Sequence, residues 1–270
     1  MPKTKDGLDL FTQSWKAANP KAIVVLTHGY NDHSGRYLHV GKALNDGGFS
    51  VYAYDLRGHG LSGGQRGHTP SFEHLLDDLG TVIEDAKIDA PGKKVFVYGH
   101  SMGGNITLNF VLRRPVELSG VIATSPWLRL AFQPPALQLA IAKFIGSFAP
   151  TFSQKAALNV EAISRDTAVQ TAYRTDPLLH GLISTKLFTQ AVSNGASAIE
   201  QARLLKLPVL LIHGGDDKIA SAAATHAFFN NAAVSDKTFK LFEGMRHETH
   251  NEFGKEGVFA EIVGWLEKHV

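Results

Sequence analysis

Ile23-Val24-Val25-Leu26, Val51-Tyr52-Ala53-Tyr54, Val95-Phe96-Val97-Tyr98, Val121-Ile122-Ala123 and Val209-Leu210-Leu211-Ile212 are continuous apolar runs. Continuous runs, unlike alternating ones, fit strands covered on both faces, as in a mostly parallel sheet. Longer stretches with helical spacing lie between them. Phe72, Leu75, Leu76, Leu79, Val82 and Ile83 predict a helix over 72–88, and a second is expected over Met102 to Arg113. The alternation predicts a doubly wound α/β fold. It stops between about Trp127 and Glu200, where Pro134-Pro135, an apolar helical stretch from Leu137 to Phe148, Pro150 and Asp176-Pro177 leave no convincing strand. The expectation is a core formed by 1–126 and 201–270, with 127–200 inserted as a helical cap over the C-terminal edge of the sheet. The pattern resumes at Leu207-Pro208, and Phe239 to Phe242 is the expected last strand.

The 270 residues are 44% hydrophobic and 19% charged, an ordinary globular composition long enough to bury a sizeable core. A formal charge of +2 with scattered Lys and Arg gives no basic stripe, so nucleic acid is not an expected partner. The absence of cysteine excludes disulfides, thiolate metal sites and a cysteine nucleophile. Met1 to Gly7 is polar, unlike a signal peptide, and the lipophilic stretch Ala136 to Ala149 is broken by Gln138 and Lys143. That stretch is also shorter than the ~20 residues of a spanning helix. A soluble, cytoplasmic protein is expected; the oligomeric state is open.

Candidate chemistry centres on Gly99-His100-Ser101-Met102-Gly103, a G-x-S-x-G pattern. Alone it reads equally well as a glycine-rich connection. Here it follows an expected strand and opens an expected helix, the context of a nucleophile elbow in the α/β-hydrolase fold. That turn exposes Ser101 Oγ at a helix N-terminus, where unpaired amides face a developing anion. A serine needs a base, and this fold supplies acid and then His further along the chain. After Val209 to Ile212 comes His213-Gly214-Gly215-Asp216-Asp217, making Asp217 the choice for the acid and Asp216 its rival. After the last expected strand, His247 comes first and His250 competes.

These residues resemble the monoacylglycerol lipase and lysophospholipase-like family of serine α/β-hydrolases. Thr27 to Tyr37 resembles that family's H-G-x-G-E-H-S-x-R-Y segment, and Tyr54 to His68 its D-x-R-G-H-G-x-S-x-G-x-R-G-H segment. Gly99 to Gly104 matches G-H-S-M-G-G, His213 to Ile219 is similar to H-G-x-x-D-x-I, and Gly244 to Glu252 to G-x-x-H-E-x-x-N-E. The resemblance runs from about residue 7 to the C-terminus and is weak through the cap. It implies Ser101, Asp217 and His247 as a triad and the amides of Tyr30 and Met102 as an oxyanion hole, with no metal or cofactor. Asn31 and Asp32 stand where the family usually has Gly and Glu. Structural roles are expected for His28, His33, Arg57, His59 and His100.

The cap helix is apolar on much of its circumference. It reads equally as a helix packed on the core, as a pocket wall for one acyl chain through Leu137, Ile141, Phe144 and Ile145, or as a face touching a lipid surface transiently. The expected activity is ester hydrolysis on monoacylglycerols or lysophospholipids. The alternatives are a small-ester esterase, a peptidase of the proline-iminopeptidase type, and a non-catalytic binding protein on the same fold. A haloalkane dehalogenase would need Asp at 101.

Overall fold

The structure, a computed structural model, describes residues 2–115, 117–132, 144, 148–156 and 158–270. Its elements run β1 (Thr12–Trp15), β2 (Ile23–Thr27), α1 (Leu38–Asp46), β3 (Ser50–Tyr54), α2 (Phe72–Asp89), β4 (Val95–His100), α3 (Met102–Arg113) and β5 (Gly120–Thr124). After β5 come β6 (Ser153–Lys155), α4 (Thr167–Thr175), β7 (Leu182–Ser184) and α5 (Thr185–Gln201). β8 (Val209–Gly214), α6 (Ala222–Asn231), β9 (Lys237–Phe242) and α7 (Lys255–Glu267) complete the chain.

Seven strands form one sheet in the order β1-β3-β2-β4-β5-β8-β9, parallel except for β1 against β3. Alternate residues of each central strand enter opposite cores. Ile23, Val25, Val95, Val97, Val209 and Leu211 pack under α2, α3 and α6, while Val24, Leu26, Phe96, Tyr98, Leu210 and Ile212 pack under α1 and α7. Two-sided burial explains why the strands read as continuous apolar runs. Each such side chain adds about 2 kcal/mol through burial.

Three strands depart from the expectation. β1 is an edge strand whose Thr12-Gln13-Ser14-Trp15 carries no apolar run. The stretch expected to lack strands contains the antiparallel pair β6 and β7, with Gln154 opposite Ile183. Ser153-Gln154-Lys155 is polar, and its partner lies far along the chain, so no local pattern announces it. α5 packs on α3: Asn105 Nδ2 donates to the carbonyls of Trp127 (2.9 Å) and Ala191 (2.8 Å). Among the described residues no helix is long and apolar enough to cross a membrane.

Strand order reverses between β2 and β4, which are hydrogen-bonded neighbours. Loops leaving the C-terminal ends on either side of such a reversal diverge and open a crevice. The loop after β2 and the turn after β4 meet there.

Candidate active site

Ser101 occupies the turn between β4 and α3 with φ 54 and ψ −115, a left-handed conformation that strains any side chain by about 1 kcal/mol or more. Its neighbours hold it there. Ser101 N donates to Thr124 O at 3.0 Å, and Ser101 O accepts from Trp127 N at 2.9 Å and Asn105 N at 3.0 Å. A Cβ at Gly103 would collide with the Thr27 and His28 carbonyls, and one at Gly99 with the Gly103 carbonyl. Only glycine lets the elbow sit this close to β2.

His247 lies in the loop after β9. Its Nε2 is 2.9 Å from Ser101 Oγ, and its Nδ1 is 2.8 Å from Asp217 Oδ2. These partners fix the tautomer: Nδ1–H donates to the carboxylate, and Nε2 accepts from the hydroxyl. Asp217 follows β8. Its Oδ1 accepts from the amides of Ile219 (2.8 Å) and Ala220 (3.0 Å), and its Oδ2 also lies 3.0 Å from His213 Nε2. His213 Nδ1 meets Thr225 Oγ1 at 2.9 Å, leaving Nε2–H to donate to the carboxylate. Burial alone would raise the Asp217 pKa, but His247 and His213 outweigh it and hold the carboxyl well below the usual aspartate range. Burial alone would lower the His247 pKa, and the Asp217 charge and hydrogen bond raise it above its ordinary 6.5.

The rivals are set apart. Asp216 is exposed. His250 is buried against Tyr37 (centroids 4.8 Å) and His100 (4.7 Å), with no hydrogen-bond partner for either ring nitrogen. Burial, with His100 nearby, lowers its pKa well below the ordinary value, so it stays neutral.

The loop after β2 carries Tyr30 into the same crevice, with Ser101 Cβ just 3.2 Å from where a Gly29 side chain would begin. Among the described residues, the Tyr30 amide makes no backbone hydrogen bond. Met102 is the first residue of α3, so its amide has no intrahelical acceptor. His28 ties the loop down by accepting the Leu56 amide at Nε2 (2.9 Å). Arg36 braces it: its guanidinium binds Glu248 with both nitrogens (2.9 and 2.8 Å) and Asp32 at 2.9 Å. Asp32 also accepts from Tyr37 OH at 2.8 Å. This network joins the loop after β2 to the neighbour of His247.

Ser101 and His247 open on a cavity of about 340 Å³. Trp127, Leu130, Phe132, Leu158, Ile183 and Phe188 give it apolar walls. Of the four cap residues expected at an acyl pocket, Phe144 is 67% exposed and in ring contact with Phe148 at 5.1 Å, while Leu137, Ile141 and Ile145 lie outside the described residues. Sequence reasoning missed Trp127 and Phe188 as walls, since an isolated aromatic carries no signal of which cavity it faces. Roles for Arg36, Glu248 and His213 were missed too, although all three stand inside the quoted motifs.

Comparison with known proteins identifies the family. The family model described as serine aminopeptidase, S33, matches residues 18–254. A monoacylglycerol lipase of Mycolicibacterium smegmatis is 33% identical over 253 residues, 93% of this chain and 90% of that protein. An uncharacterized abhydrolase domain-containing protein of Dictyostelium discoideum is 35% identical over 99% of this chain, which spans only 28% of that longer protein. The crystal structure of Paleococcus ferrophilus monoacylglycerol lipase has a TM-score of 0.88 at 36% identity, covering 97% of this chain and 100% of that one. The chain therefore belongs to the serine aminopeptidase, S33, family of α/β-hydrolases and is monoacylglycerol lipase-like within it.

Proposed function

We propose that this carboxylic-ester hydrolase cleaves single-chain lipid esters, monoacylglycerols foremost, through Ser101, His247 and Asp217. Ser101 Oγ attacks the ester carbonyl as its proton passes to His247 Nε2, and the carbonyl electron pair moves onto oxygen. The amides of Tyr30 and Met102 receive that oxyanion; one such donor contributes about 3 kcal/mol. Collapse breaks the bond to the alcohol oxygen, which takes the proton from His247 and leaves. Water then attacks the acyl-enzyme, with His247 first accepting its proton and then returning one to Ser101 Oγ. Asp217 orients the imidazole and stabilises its charged form throughout.

The supporting observation is the unbroken hydrogen-bonded line from Ser101 through His247 to Asp217 at the floor of an apolar cavity. Its volume of about 340 Å³ suits one acyl chain rather than several. We assign residues 127–200 to a cap over that cavity. Phe132, Phe144, Phe148 and Phe152 are all more than half exposed, apolar side chains through which a peripheral enzyme would meet a lipid layer.

The test is hydrolysis of p-nitrophenyl esters from acetyl to palmitoyl, with lysophosphatidylcholine and an aminoacyl anilide alongside. Activity peaking at medium or long chains is expected. Activity falling steadily from acetyl onward would make this a small-ester esterase, and anilide turnover alone a peptidase.

A further inference from the structure

The loop after β2 is tied to the inserted segment by a residue that strains it. Asn31 directly follows Tyr30 and sits at φ 50, the left-handed region. Glycine, the usual residue here in the resembling segments, adopts that conformation freely; asparagine tolerates it at some cost. The side chain responsible is fully engaged. Its Nδ2 donates to Tyr173 OH at 2.7 Å, and its Oδ1 accepts from the Gly181 amide at 2.6 Å. Tyr173 OH in turn donates to the Asn31 carbonyl at 3.2 Å. Tyr173 belongs to α4, and Gly181 to the turn before β7, both in the inserted segment.

The attachments flank the same point. Tyr30 OH donates to the Ala156 carbonyl at 3.3 Å, and His33 Nε2 lies 2.9 Å from Asp176 Oδ2. The Tyr173 ring also lies 4.9 Å from the Arg36 guanidinium that braces Asp32 and Glu248. Asn31 and Tyr173 are buried. Moving residues 173–181 away would break both hydrogen bonds of the Asn31 side chain, the contacts that accompany its left-handed backbone. The position of residue 31 is therefore coupled to the docking of the inserted segment.

We infer that Asn31 is a positioning residue that latches the loop after β2 to the inserted segment, so that the Tyr30 amide is aimed at the oxyanion only while residues 173–181 are docked. The inference rests on Tyr30 serving as an oxyanion donor.

The experiment uses Asn31→Gly, Tyr173→Phe and their combination. Asn31→Gly accepts φ 50 without strain, and Tyr173→Phe keeps the ring over Arg36. For each, kcat/KM on a p-nitrophenyl ester is measured, together with inhibition by an alkyl boronic acid and by an alkyl ether. The boronate forms a tetrahedral adduct at Ser101 with an oxygen at the oxyanion position, whereas the ether occupies the cavity alone. Each single variant should lose about tenfold in kcat/KM, a fraction of the 10²- to 10³-fold typical of deleting a donor outright. Boronate affinity should fall by the same factor and ether affinity by less than about twofold, because only the former loads the oxyanion site. The double variant should be no worse than the poorer single one, as expected for partners in one contact.

Wild-type kcat/KM in Tyr173→Phe, equal weakening of both inhibitors, or additive losses would each overturn the latch. Should Asn31→Gly fail to fold, Tyr173→Phe decides alone. Ser101→Ala separates the two levels: activity surviving there removes the site assignment itself, while a dead Ser101→Ala beside an unaffected Tyr173→Phe removes the latch only.

Discussion

Ser101, Asp217 and His247 each stand within a few residues of a strand end, whereas Leu158, Ile183 and Phe188, which shape the cavity above them, belong to a segment whose described strands, β6 and β7, lie outside the main sheet. The first set is fixed by backbone. The elbow is pinned by Ser101 N to Thr124 O and Trp127 N to Ser101 O, and Asp217 by two amides. Ile183 and Phe188 of the second set sit on the insertion's own elements, β7 and α5, and the insertion reaches the core through contacts such as Asn31 to Tyr173. Reactivity built on strand ends should be indifferent to substrate length, while selectivity built on the insertion should be adjustable without touching the chemistry.

Substitutions can break this division, and the largest effect belongs to the strand ends. Ser101→Ala should lower kcat by about 10⁶-fold on every ester with little change in melting temperature; residual turnover of a tenth or more would place the chemistry elsewhere. Asp217→Asn should cost about 10⁴-fold through the wrong His247 tautomer, again equally for short and long chains. It also carries a pH signature. His247 must be neutral to accept the serine proton, and its pKa lies above 6.5. The acid limb of kcat/KM should therefore have its midpoint above 6.5 and fall about tenfold per unit below it. In Asp217→Asn the raising charge is gone while burial still lowers the pKa, so the limb should move to lower pH. A limb that stays put would detach Asp217 from His247.

A smaller effect tests the brace between the two regions. Arg36→Met leaves Asp32 and Glu248 as buried carboxylates without their cation, and chemical denaturation at neutral pH should show a loss of about 3 kcal/mol. Burial pushes the Asp32 pKa up, but Arg36, His28 and the Tyr37 hydroxyl together outweigh it and hold the group below 3.8. A depressed carboxylate stabilises the fold above its unfolded pKa and loses that contribution as pH falls. The gap between variant and parent should therefore narrow below 3.8. A gap independent of pH would mean that Arg36 acts by packing on Tyr173 instead. The smallest effect belongs to the insertion. Phe188→Trp should shorten the preferred acyl chain by changing the ratio of long- to short-ester kcat/KM about tenfold, with acetyl-ester turnover unchanged. A uniform loss across the series would erase the distinction between the regions.

The same division governs what could be read from the chain. Val95 to Ser101 is a buried strand followed by a glycine-lined turn, a signal contained in neighbouring residues, so the elbow was legible from the sequence alone. The regions after β8 and β9 were equally legible, but His247 and Asp217 were separated from His250 and Asp216 there only by position in the loop and by motif resemblance. The structure adds the physical reason: Asp216 faces solvent, and His250 is sealed between Tyr37 and His100. In the insertion the determinants are pairings across the fold. Gln154 opposite Ile183, Asn31 on Tyr173 and Arg36 under the same ring involve residues far apart in sequence, and no local periodicity encodes them.

The central claim is tested most directly by incubating wild type and Ser101→Ala with 1-decanoylglycerol and measuring glycerol and fatty acid release. Equimolar release of both by the wild type and none by the variant is the predicted result. Release by both proteins, or wild-type inactivity on decanoylglycerol alongside rapid hydrolysis of acetyl esters, would contradict a Ser101-centred lipase for single-chain lipids.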